Sequence, residues 1–228
     1  MPALQNKTKS TVYFISGLGA DWRMFQFLKL PEEQPYEHVE WLAPLNLNEP
    51  IQAYAERIRQ QIKDTFPILI GLSFGGVVAI EIAKIITVRK LIIISSLATH
   101  HGVPPLYRLL GKLQLYRFTP FWLMRNSYPL GPWFFGAHTS SEKRLLKDVI
   151  LSTDEKYLRW SLGQLFLWRH EDPLPGLVHL HGTKDKVLPL RDRPNLIKIQ
   201  GGEHLMVLHQ ADEISVKLRK ILEDDHDR

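Results

Sequence analysis

Apolar residues in the first part of the chain take two alternating forms: short continuous runs and stripes of helical period. Residues 11–16 (TVYFIS) are β-branched and aromatic and end at Gly17, which predicts a buried strand. Residues 39–42 predict a second, short strand. From Ile51 to Ile62, apolar positions recur at Ile51, Tyr54, Ala55, Ile58 and Ile62, the spacing of an amphipathic helix. The run at 67–70 (PILI) predicts another strand. Phe74 to Ile86 has the length and uniform apolarity of a buried helix, and 90–95 (KLIIIS) again reads as strand. Strands that alternate with helices imply a parallel sheet with crossover connections.

After Ser96 this rhythm stops. Residues 97–171 hold no strong strand pattern and are rich in aromatics, among them Tyr107, Trp122, Trp133 and Phe135. Two segments, Thr139-Ser140-Ser141-Glu142 and Ser152-Thr153-Asp154-Glu155, match a capping box ahead of apolar periodicity and predict helix starts. The stretch reads as a helical insertion. Strand patterns resume at 177–181 and 196–200, followed by a closing amphipathic helix at 205–222 and a polar tail at 223–228. The chain therefore divides into a sheet-bearing core, 1–96 and 172–228, and an inserted helical unit, 97–171.

Composition narrows the classes. Hydrophobic residues make up 44% and charged residues 23% of the 228, which is ordinary for a globular protein with room for a full core. The net charge of +5 comes from scattered lysines and arginines whose longest clusters are pairs, and no nucleic-acid motif accompanies them. No nucleic-acid partner is expected. The absence of cysteine excludes disulfides, thiolate metal sites and a cysteine nucleophile. It is compatible with a reducing compartment. The N-terminal residues 1–10 are polar, without the apolar core of a signal peptide. A cytoplasmic location is the expectation, with no membrane span, because Pro, Gly or His breaks every long uncharged stretch.

The sharpest chemical signal is Gly71-Leu72-Ser73-Phe74-Gly75, a G-x-S-x-G segment between an apolar strand and an apolar helix. A serine at such a turn projects from the carboxyl edge of a parallel sheet, where ligands bind. The glycines leave room where strand and helix cross. A serine hydroxyl needs a base, and the base needs an orienting acid. Asp185 follows the resumed strand and His204 follows the last one, so both sit in loops at strand carboxyl ends. Blander readings exist: Asp185 as a solvated turn residue between lysines, His204 as a helix cap. His209 is a rival base but falls a turn into a helix. His181, His100 and His101 read as structural or solvated. Acyl transfer also needs donors for a developing oxyanion. The Phe74 N–H is one candidate, and Leu18, in the glycine-rich loop after the first strand, is the other. That loop lacks the third glycine of a dinucleotide fingerprint and the lysine of a P-loop.

Together the segments ISGLGADWRMF, GLSFGG, HGTKDKVLP and GGEHLMVLHQADEI, in this order, resemble the α/β-hydrolase superfamily. The resemblance implies an α/β fold with a mostly parallel sheet of about six strands and a helical cap at 97–171. It implies Ser73 as nucleophile, Asp185 as acid, His204 as base, and Leu18 and Phe74 as oxyanion donors. The usual His-Gly after the first strand is Ser16-Gly17 here, and Asp185 and His204 lie so close in the chain that the helix common between these strands looks trimmed. The implied activity is a carboxylesterase-like serine hydrolase acting on a small-molecule acyl substrate through an acyl-enzyme. Trp122, Trp133 and Phe135 are candidate substrate contacts, and no cofactor or metal is expected. A thioesterase, lactonase or acyltransferase would use the same groups, and a receptor-like protein that holds its ligand with little turnover would keep the same pocket.

Overall fold

The computed structural model describes residues 9–191 and 196–223. The polar N-terminus up to residue 8 and the polar tail beyond Glu223 lie outside the described residues. The first two strands, β1 (Val12–Ile15) and β2 (Tyr36–Val39), are followed by α1 (Ile51–Ile58), β3 (Ile68–Leu72), α2 (Phe74–Ala83) and β4 (Lys90–Ile94). Then come six consecutive helices: α3 (Pro105–Lys112), α4 (Leu115–Phe118), α5 (Phe121–Asn126), α6 (Gly131–Phe135), α7 (Ser140–Ser152) and α8 (Glu155–Leu167). The chain returns through β5 (Val178–Gly182) and β6 (Leu196–Ile199) to α9 (Met206–His209) and α10 (Ala211–Glu223).

The strands form a six-stranded sheet in the order β2-β1-β3-β4-β5-β6. Every pairing is parallel, with β3 and β4 in register from Ile68 opposite Lys90 to Leu72 opposite Ile94. The central strands are apolar on both faces because helices cover both faces, the condition under which parallel sheets are stable. α1, α2 and α8 pack on one face around Tyr54, Phe74 and Trp160. The other face is covered by the 3₁₀ turn at Trp22–Phe25, by α7 and by α9 and α10, around Phe14, Met24 and Met206. Among the described residues no helix is long and apolar enough to cross a membrane.

Three elements differ from the sequence expectation. The second strand is Tyr36–Val39, ahead of the expected 39–42. Side chains claim the backbone groups beyond Val39: Gln61 bonds both the N–H and the C=O of Glu40, and the Tyr54 hydroxyl does the same for Leu42. The start of α8 is capped by Asp154, whose carboxylate accepts from the Tyr157 N–H at 2.8 Å. Ser152 does not cap it; its hydroxyl bonds back to Val149 O in α7. The closing helix breaks at Gln210 (φ −121°), which separates α9 from α10.

Candidate active site

Ser73 sits between β3 and α2 at φ 52° and ψ −122°, a conformation rarely open to a residue with a side chain. Its neighbours explain how the turn closes. A Cβ on Gly71 would stand 2.5 Å from Gly75 O and Gly76 Cα, and one on Gly75 would stand 2.1 Å from Ser16 O. Both clashes are with backbone, which cannot swing away. Gly75→Ala is therefore expected to destabilise the protein by about 3 kcal/mol, at the upper end of overpacking costs, read as a lowered midpoint in thermal unfolding. The Ser96 hydroxyl holds the elbow from below by donating to Ser73 O at 2.6 Å.

The three side chains named from the sequence meet at the carboxyl edge of the sheet. His204 Nε2 lies 2.9 Å from Ser73 Oγ, and its Nδ1 lies 2.8 Å from Asp185 Oδ2. The second carboxylate oxygen of Asp185 accepts from the N–H groups of Val187 and Leu188, both at 2.9 Å. Those bonds fix the carboxylate plane. Burial works to raise the Asp185 pKa. The opposing charge and hydrogen bond of His204, with help from His181 and the Leu188 N–H, outweigh it and hold the carboxyl below its ordinary value. His181 donates from Nε2 to Leu188 O at 2.7 Å and so braces the turn carrying Asp185. His209, the rival base, stacks edge-on against His138 instead, and burial lowers its pKa.

Gly17, Leu18, Ser73, Phe74 and His204 line one cavity of about 400 Å³. Neither the Leu18 nor the Phe74 N–H has a hydrogen-bond partner among the described residues. The Leu18 loop is held by a side chain that the sequence reading missed. Trp41 Nε1 donates to Ser16 Oγ at 2.9 Å and approaches Gly17 O at 3.1 Å, while Ser16 Oγ donates to Ala20 O at 2.6 Å. Ser16, where the resemblance led one to expect histidine, thus has a defined role with Trp41. Trp41→Phe keeps the ring packed on Phe74 but removes the donor. The expected result is a looser Leu18 loop, read as faster amide hydrogen exchange at Leu18 than in the parent.

Glu203 was also missed, although it directly precedes His204. Its carboxylate accepts from Lys186 Nζ at 2.8 Å and from His138 Nε2 at 2.6 Å, so it ties the Asp185 turn to the His204 loop. The Phe135 carbonyl accepts from the Leu205 N–H at 3.0 Å, and the Phe135 ring meets His204 edge-on at 5.6 Å. Of the three aromatics named as substrate contacts, only Phe135 lines the cavity. Trp122 and Trp133 are 65% and 69% exposed and do not line it. Period alone does not tell which side of a short helix faces a pocket.

A sequence profile described as the alpha/beta hydrolase family matches residues 12–215. The chain belongs to the alpha/beta hydrolase family. No curated protein sequence matches it. Several solved structures share this hydrolase fold. An esterase from Thermogutta terrifontis superposes with a TM-score of 0.67 at 16% identity, covering 96% of this chain and 91% of that one. An esterase from Exiguobacterium antarcticum gives 0.65 at 18% identity, with 94% and 92% covered. A meta-cleavage product hydrolase from Pseudomonas fluorescens IP01 gives 0.64 at 19%, with 95% and 91% covered. At these identities the likeness is one of fold. Among the described residues, no aspartate, glutamate, lysine or arginine lines the cavity of this chain.

Proposed function

We propose that the protein is a serine hydrolase that cleaves a carboxylic ester, or a related acyl bond, through an acyl-enzyme on Ser73. The observation that carries this reading is the unbroken relay Ser73 Oγ–His204 Nε2–Asp185 Oδ2, with steps of 2.9 and 2.8 Å. His204 takes the Ser73 proton as Oγ attacks the acyl carbon, and Asp185 stabilises the imidazolium formed. The carbonyl oxygen gains the negative charge and is held by the free N–H groups of Leu18 and Phe74. The imidazolium then gives its proton to the departing alcohol. Water, activated by the same imidazole, attacks the acyl-enzyme and releases the acid.

The cavity speaks to the substrate class. Met24, Tyr107, Met124, Phe135, Leu162 and Phe166 wall it, and its polar atoms are few. A charged acyl or alcohol group would lose its hydration there without a counter-ion. The preferred substrate is an uncharged, apolar ester, and residues 97–171 act as the cap that walls it in. Mass labelling with a fluorophosphonate tests the reading without knowledge of the natural substrate. A single adduct on Ser73 is expected, and an unlabelled Ser73 in the folded protein would refute it.

A further inference from the structure

No aspartate or glutamate stands between Glu81 and Glu142. This stretch includes α3 to α6, and α3, α5 and α6, which line the cavity, carry apolar side chains on both sides. α3 turns Tyr107 and Leu110 inward and packs Gly111 against Phe166 of α8, while Leu106, Leu109 and Leu113, at i, i+3 and i+7, face solvent. α5 sends Met124 into the cavity and leaves Trp122 and Leu123 outside. α6 sends Phe134 and Phe135 in and leaves Trp133 outside. The most extreme case is Phe118, the last residue of α4, 77% exposed. A helix that only roofed a pocket would present a polar outer face. Apolar side chains grouped in this way mark an interaction surface.

The charges identify the partner. Among the described residues Arg108, Lys112, Arg117 and Arg125 have no carboxylate partner: Arg117 bonds to Gln114 and Asn48, and Arg125 lies over the Phe121 ring. We propose that the outer face of α3 to α6 docks the protein on an anionic phospholipid surface. The leucine, phenylalanine and tryptophan side chains enter the interfacial layer, and Arg108, Lys112 and Arg125 lie against headgroup phosphates, while Arg117 stays bonded to Asn48. Amphipathic elements that carry Lys and Arg beside Trp, Phe and Leu bind such surfaces, and each cation near an anionic leaflet adds to the attraction. A second copy of the same face is the weaker occupant, because a two-fold contact sets like charges against each other. Docking brings the cavity within one helix of the lipid. The inference is independent of the reaction proposed for Ser73.

Co-sedimentation of the full chain with vesicles tests it. The vesicles are phosphatidylcholine alone, or phosphatidylcholine with about one-third phosphatidylglycerol. Binding to the anionic vesicles is expected to be at least about tenfold tighter and to weaken with added salt. Leu109→Glu with Leu123→Glu is expected to lower it at least about tenfold while far-UV circular dichroism and the melting point stay unchanged, since both side chains already face water. Should that pair disturb folding, Lys112→Gln with Arg125→Gln, both at exposed positions, is expected to lower binding to the anionic vesicles alone. Phe66→Glu, exposed at the amino end of β3 and so at the opposite edge of the sheet, is expected to bind like the parent. Three results overturn the proposal. The first is no binding to anionic vesicles, and the second is an equal loss in Phe66→Glu. The third is a dimer in ultracentrifugation that Leu109→Glu with Leu123→Glu dissolves, which would make the face a self-interface.

Discussion

Ser73→Ala is expected to lower kcat on a short p-nitrophenyl ester by about 10⁴-fold or more while leaving the fold intact. The size follows from how such a site works. Without Oγ there is no covalent intermediate, so base and acid have nothing to act on, and what survives comes from the donors and the binding cavity. Stability is expected to change little. Ser73 Oγ has one side-chain partner, His204 Nε2, at 2.9 Å, and the backbone bonds of the elbow do not involve the hydroxyl. Alanine meets the same cost at φ 52° as serine, so the strain is retained. Steady-state kinetics and thermal unfolding on one preparation separate the two effects. Fluorophosphonate labelling should vanish in the variant. Turnover equal to that of the parent would show that the reaction does not pass through this serine.

The sheet was legible because burial on both faces leaves a simple signature. TVYFI, PILI, KLIII and LVHLH are continuous apolar or β-branched runs, and each became a strand within a residue or two of its expected ends. β2 was misplaced because it is an edge strand with one wet face. Tyr36 is 58% exposed, and nothing in Tyr36-Glu37-His38-Val39 forms a run. The more apolar residues after it lie outside the ladder because Gln61 and Tyr54, distant in sequence, occupy their backbone groups. Long-range side-chain bonds of this kind leave no periodic trace. Thr139 was legible as a cap because the reciprocal bond from Glu142 is a four-residue pattern, and both halves are formed. At Asp154 the same pattern was shifted by the end of the preceding helix.

The site divides along the same line. Ser73, Asp185 and His204 each follow a strand, so the parallel topology alone carries them to one edge, and chain order assigns their places. Trp41 and Glu203 act on other residues and not on a reacting atom, and no motif marks them. Trp122 and Trp133 were grouped with Phe135 because all three are aromatics in one segment. Which side each faces depends on how α5 and α6 sit over the sheet, and that is fixed by contacts such as Phe135 O with the Leu205 N–H.

Asp185→Asn is expected to lower kcat by about 10⁴-fold with little change in the position of Ser73 or His204. The shape of the acid is kept, and its second oxygen still accepts from the Val187 and Leu188 N–H groups at 2.9 Å. What changes is the group facing His204 Nδ1. A carboxylate oxygen there accepts, so Nδ1 carries the proton and Nε2 is left free to take one from Ser73. An amide nitrogen donates, which moves the proton to Nε2 and makes the imidazole a donor towards Ser73. The base is then in the wrong tautomer, and the imidazolium loses its stabilising charge. The same pair sets an acid dependence. Because the folded state holds the Asp185 carboxyl below its ordinary pKa, the stability it contributes is present above the unfolded carboxylate value and is lost as the pH falls through the folded one. The asparagine variant lacks this titration, so the difference between its stability and that of the parent should shrink as the solution is acidified below about pH 4, the ordinary carboxylate range. Urea unfolding at a series of pH values measures this. A difference that stayed constant with pH, together with unchanged kcat, would mean that Asp185 neither orients His204 nor carries the charge assigned to it.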